Sequence, residues 1–191
     1  MKIILEDKGS YELFDKIIKA IIGDKISDQT FIDLCSCEAT ATRNLPFKEK
    51  TYVDALDCWV IPGQMDRFIQ TDVLGDHPCF DKKYDVANCS DGIEHLIKED
   101  GFRLIEKMKK ISSKQILFTP LGEYMIEVGN PDPKCHKSGW VSSDFEGFAS
   151  IVCPNWHPTL GVGGVWAWRS DDLKSEFERV FSLIGGRVET D

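Results

Sequence analysis

Four carboxylates, Asp33, Asp54, Asp72 and Asp91, each close a short apolar run, and Asp91 is followed at once by Gly92-Ile-Glu-His95. A carboxylate at the end of a strand can accept hydrogen bonds from paired hydroxyls or from an amine, and a nearby imidazole can take a proton near neutrality. Asp54 lies 21 residues after Asp33 and Asp72 a further 18, spacings that suit a strand, a crossover and the next parallel strand. In an open parallel sheet such acids converge on the carboxyl edge, where a nucleotide-like ligand would lie with its ribose hydroxyls on the second of them.

The elements that must position these acids follow the same rhythm. Tyr11 to Ile22 has apolar residues at 13, 14, 17, 18, 21 and 22, and Gly23 follows, as in an amphipathic helix and its stop. Strands are expected at 31–34, 50–56, 67–72, 82–91 and 115–119. A helix is expected to begin at Gly92 and to run to Lys110 with an interruption near Gly101. The small-residue segment Cys35-Ser-Cys-Glu-Ala-Thr-Ala-Thr42 should be the turn on which a ligand's backbone contacts depend, with a helix after it that ends at Pro46. Two strands at 148–153 and 164–169 make a closing hairpin, with Trp166 and Trp168 on one core-facing side, and a last helix spans 171–183.

The long connection 120–139 and the hairpin tip 154–163 should overhang the carboxyl edge and supply a substrate pocket through His136, Trp140 and Trp156. Asp91, Glu94 and His95 fall at i, i+3 and i+4, a spacing that suits a metal, but a helix start with Asp91 near its N-cap is the favoured explanation and no metal is assigned. Cys35, Cys37, Cys58 and Cys89 lack the paired knuckles of a zinc site and read as packing thiols.

With 191 residues, 42% of them hydrophobic, the chain is expected to be one domain over 1–191. Seven cysteines, an odd number, point to reduced thiols, and no apolar run is long enough to cross a bilayer, so a soluble cytoplasmic protein is expected. A net charge of -9 disfavours nucleic acid as a partner and leaves a small molecule as the expected substrate. No Gly-x-Ser-x-Gly elbow or Gly-x-x-x-x-Gly-Lys loop is present, which removes two large enzyme classes.

Phe31-Ile-Asp-Leu34 with its turn, Tyr52-Val-Asp54, Gln70-Thr-Asp-Val73 and Tyr84-Asp-Val-Ala-Asn-Cys-Ser-Asp-Gly-Ile-Glu-His-Leu96 together resemble the motifs of class I S-adenosylmethionine-dependent methyltransferases. The resemblance runs over nearly the whole chain. It implies an α/β, Rossmann-like fold, a mostly parallel seven-stranded sheet ending in an antiparallel hairpin. It also implies S-adenosylmethionine as cofactor. Asp33, Cys35 and Cys37 would hold its methionine part, Asp54 its ribose, and Asp72 and Val73 its adenine. Asn88, Cys89 and Ser90 would contact it beside the acceptor, and His95 would serve as the base. One motif departs from the family: its three turn glycines are replaced by Cys35, Cys37 and Ala39, whose β-carbons hinder positive φ and a close backbone approach. Restoring glycine at the two cysteines is expected to open the turn at a cost in stability. The alternative reading is a binding module of the same fold that no longer holds the cofactor.

Overall fold

The computed structural model describes residues 1–5, 11–57, 65–127, 129–157 and 160–189. It contains one nine-stranded sheet. In chain order the elements are β1 (Lys2–Ile4), α1 (Tyr11–Ile22), β2 (Thr30–Leu34), β3 (Glu49–Asp54), β4 (Phe68–Gln70), β5 (Tyr84–Ser90), α2 (Lys98–Ile111), β6 (Ser112–Pro120), β7 (Ala149–His157), β8 (Val162–Arg169), α3 (Leu173–Ile184) and β9 (Arg187–Glu189). The strand order is β4-β3-β2-β5-β6-β8-β7-β1-β9. Strands β4 through β6 are mutually parallel, and β8 is antiparallel to both β6 and β7.

The expected seven strands are therefore the β4-to-β7 part of the sheet, extended by two short ones. Strand β1 adds parallel to β7, and β9 adds antiparallel to β1. Neither was expected from the sequence, and pairing with β7 gives β1 its place.

Alternating side chains send the sheet's two faces into separate cores. Phe31, Ile116, Phe118, Trp166 and Trp168 pack with Ile17, Ile18 and Ile21 of α1 and with Phe177 and Val180 of α3. Ile32, Leu34, Leu117, Val165 and Ala167 pack with Leu104, Ile105 and Met108 of α2 on the other face. Trp166 and Trp168 are both fully buried, as the alternation requires.

Two expected helices differ. Among the described residues no helix stands between β2 and β3; residues 38–45 form turns held by Thr42 N–H and Arg43 N–H donating to the Ala39 carbonyl. Asp91, Glu94 and His95 do not share an α-helical face either. Asp91 has φ +49, Ile93–His95 is a 3-10 turn, and α2 begins only at Lys98 and passes through Gly101 without a break. Gly101 sits inside the helix because the indole of Trp140 lies where its β-carbon would be, 2.4 Å away. The closing hairpin is longer than expected: β7 runs through Trp156 to His157, with an irregularity between Cys153 and His157. Cys58 and residues 158–159 of the expected hairpin tip lie outside the described residues.

Candidate functional site

The turn after β2 keeps the backbone of a glycine turn without the glycines. Cys35, Cys37 and Ala39 have φ values of +55, +46 and +49. Each is the left-handed conformation that a β-carbon disfavours by roughly 1–2 kcal/mol, so the expected hindrance is present as strain and the turn adopts positive φ in spite of it. The neighbourhood holds the strain in place. Asp54 at the end of β3 accepts from Cys37 N–H through Oδ2 (2.9 Å) and from Leu56 N–H through Oδ1 (2.9 Å), and Ser36 N–H donates to the Val53 carbonyl. Gly92, at the end of β5, gives the turn room: a β-carbon there would lie 2.5 Å from Cys35 Cβ.

Beneath the turn, Asp33 is buried and accepts from Thr42 Oγ1 (2.5 Å) and Asn88 Nδ2 (2.7 Å). Loss of hydration pushes its carboxyl up to about 7, against the pull of those two bonds. Asn88 is fully buried, and Ser90 Oγ donates to its side-chain Oδ1 at 3.1 Å. Cys89 is also fully buried, and its contact with the Cys35 thiol, with burial second, raises it well above an ordinary cysteine. Neither Asn88 nor Cys89 faces open space, so of the three expected contacts on β5 only Ser90 reaches a cavity wall; Asn88 instead donates to Asp33.

Three chambers meet at the carboxyl edge. One of about 450 Å³ runs along the turn, with Asp33, Ser36, Cys37, Ser90, Phe118 and Trp156 in its wall. A second, of about 440 Å³, is bounded by Cys35, Cys37, Asp54, Asp72, Val73 and His95. The third, about 210 Å³, lies between Glu94, His95, Tyr124, His136 and Trp156. Cys37 stands in the wall between the first two, and among the described residues Asp91 alone lines all three. Asp91 is open to this junction, yet protein on several sides strips water from its carboxylate and raises its pKa. The sequence singles it out as the last acid at a strand end but assigns it no role; its backbone there is left-handed, at φ +49.

The expected substrate residues separate. His136 and Trp156 line the third chamber, whereas Trp140 is fully buried on the α2 face, donating Nε1–H to Ser138 Oγ (2.9 Å) and stacking on Phe145. The Lys98 ammonium lies 3.8 Å from its ring centroid. Trp140 is thus a core residue, corrected from the pocket to the packing: an indole at the end of a polar loop finds more apolar contact on α2 than at the cleft.

The wall of the third chamber is polar on one side. Glu94 is buried, accepts from Thr119 Oγ1 (2.9 Å) and has its carboxyl raised, by burial first and the Asp91 charge second. His95 Nε2 lies 3.9 Å from Glu94 Oε1, and burial lowers the pKa of this imidazole. The rings of His95 and His136 meet edge to face at 4.9 Å. The loop bearing His136 is tied down by Lys137 N–H and Ser138 N–H on the Glu94 carbonyl, and by Ser138 Oγ on that of Leu96.

No protein-family model matches the sequence, and no curated protein sequence matches it. Solved structures do. The chain is similar to the methyltransferase domain of bacterial CtHen1 (18% identity, 83% of this chain and 98% of that one, TM-score 0.54). It is also similar to magnesium protoporphyrin IX methyltransferase from Synechocystis PCC 6803 with bound S-adenosylmethionine (14%, 84% and 79%, 0.57). The N-methyltransferase NodS from Bradyrhizobium japonicum WM9, in complex with S-adenosyl-homocysteine, is a third (12%, 84% and 87%, 0.57). The fold is the α/β fold of class I S-adenosylmethionine-dependent methyltransferases.

Proposed function

We propose that the chain binds S-adenosylmethionine across the first two chambers and transfers its methyl group to a small molecule seated in the third. The observation that carries this reading is the junction itself: two chambers share Cys37 and Asp91 in their walls, and the third is lined by the same carboxylate. Each of the first two has the volume of a small-molecule pocket. Asp33 suits the cofactor's ammonium, Asp54 its ribose, and Asp72 with Val73 its adenine; Trp156 and His136 line the acceptor's side. The fold-mates' bound S-adenosylmethionine and S-adenosyl-homocysteine support the same cofactor here.

A sulfonium needs no further activation, so the protein's work is alignment. The acceptor's lone pair forms a bond to the methyl carbon as the carbon–sulfur bond breaks, and the electron pair leaves on a neutral thioether. We assign the acceptor's proton to Asp91 rather than to His95, because Asp91 borders all three chambers. His95 and His136 then orient the acceptor. The acidic net charge keeps a nucleic acid disfavoured, and the free cysteines among the described residues fit a reducing compartment such as the cytoplasm. No helix among the described residues is long and apolar enough to cross a membrane.

Calorimetric titration with S-adenosylmethionine tests the reading. A micromolar dissociation constant, weakened at least tenfold in Asp54→Ala, is the expected result. A second reading, a non-catalytic binding module, is favoured by one observation: the Cys37 amide already occupies Asp54 Oδ2, where a ribose hydroxyl would bind. Absence of binding at millimolar cofactor would select that module and remove the enzyme.

A further inference from the structure

We infer that Glu94, His95 and His136 hold a divalent transition-metal ion in the wall of the acceptor chamber, where it would bind a hydroxyl of the acceptor. One ligand atom from each of the three side chains lies within 4.8 Å of the other two. To reach metal bond lengths of about 2.0–2.2 Å, each donor draws in by less than about 1 Å.

The hydrogen bonds around the cluster prepare it for a cation. His95 Nδ1 is 3.3 Å from the Cys135 carbonyl and His136 Nδ1 is 2.8 Å from the Tyr124 carbonyl. A carbonyl only accepts, so in each neutral ring the proton sits on Nδ1 and the lone pair on Nε2. Such a backbone partner on the far nitrogen is what fixes ligating imidazoles elsewhere. Glu94 follows the same plan: Thr119 holds Oε2, and Oε1 faces His95.

The three ligands come from two segments, and the structure ties these together before any ion arrives. Residue 136 bridges to Ile126 as an isolated β-pair, and Glu127 N–H donates to its carbonyl. The next two amides, of Lys137 and Ser138, cap the carbonyl of Glu94. Two imidazoles and one carboxylate favour Mn²⁺, Fe²⁺, Co²⁺ or Zn²⁺ over Ca²⁺ or Mg²⁺, and three protein ligands leave positions open on the ion. All three ligands line the 210 Å³ chamber, on whose border Asp91 also lies. An acceptor oxygen bound there becomes more acidic, as water does on zinc. The inference rests on the methyl-transfer reading for its role but not for the site, and it narrows the acceptor to an oxygen nucleophile.

The test uses the full chain stripped with chelator and titrated with Co²⁺, followed by calorimetry and by the visible absorption of the bound ion, with S-adenosylmethionine titrated into the same samples. One equivalent of Co²⁺ should bind with bands of a nitrogen and oxygen ligand set, Zn²⁺ should displace it, and His136→Ala and Glu94→Gln should each weaken it at least 100-fold. His95→Gln keeps the test open should either variant fail to fold. No Co²⁺ binding by the parent at millimolar concentration, or equal binding by parent and folded variants, overturns the site. Metal binding without cofactor binding leaves the site standing and removes the methyl-transfer reading; cofactor binding without metal does the reverse.

Discussion

Replacing Cys37 by glycine should stabilise the protein, contrary to what the residue type alone suggests. At φ +46 the β-carbon of Cys37 costs about 1–2 kcal/mol, and a glycine's extra freedom in the unfolded chain takes back about 0.5–1 kcal/mol. The difference is a gain of about 0.5–1 kcal/mol, which for a chain of this size raises the melting temperature by about 1–4 °C. Little packing is lost with it, because the Cys37 side chain is exposed to the cleft. The same β-carbon stands in the wall between the first two chambers, so affinity for S-adenosylmethionine should rise severalfold in parallel. Thermal unfolding and calorimetry on Cys37→Gly, beside Cys37→Ala as the control that keeps the β-carbon, measure both effects. A glycine variant no more stable than the alanine variant would refute the argument, since strain relief is its only source. At Cys35, φ +55, the gain should be smaller, because that side chain also packs against Gly92 and Cys89.

Because Asp33 is held up to about 7, a cofactor ammonium beside it must draw out its proton; affinity for S-adenosylmethionine should rise from pH 6 to 8, and Asp33→Asn should bind weakly with a flat profile. A parent profile that falls over this range would remove Asp33 from the ammonium site. Trp140→Ala should cost about 3–5 kcal/mol in urea unfolding, the range for a fully buried tryptophan, and should act on stability rather than on acceptor choice. Lys107 on α2 donates to the Val73 and Gly75 carbonyls at 2.7 Å each and lies 3.4 Å from the Phe80 ring centroid, so it pins the loop expected to flank adenine. Lys107→Met should therefore raise the KM for S-adenosylmethionine about tenfold with kcat nearly unchanged.

What the sequence determined by itself is the parallel part of the sheet and its acids. Apolar runs long enough to be buried on both faces announced β2, β3, β5 and β6, and a strand end is a local feature, so Asp33, Asp54 and Asp72 were legible from spacing alone. The alternation at Trp166 and Trp168 was legible for the same reason. Tertiary structure decided everything that depends on contacts between distant segments. It placed β1 and β9 by pairing, and it took Trp140 to the core because α2 offers a glycine under its ring. It also kept left-handed backbone at Cys35, Cys37 and Ala39, where residue type argues against it, because Asp54 and the β5 end hold the turn. His136 lies 41 residues beyond His95, with no periodicity linking them. Their meeting beside Glu94 follows from the amides of Lys137 and Ser138 on one carbonyl, a through-space bond for which a linear pattern has no signal.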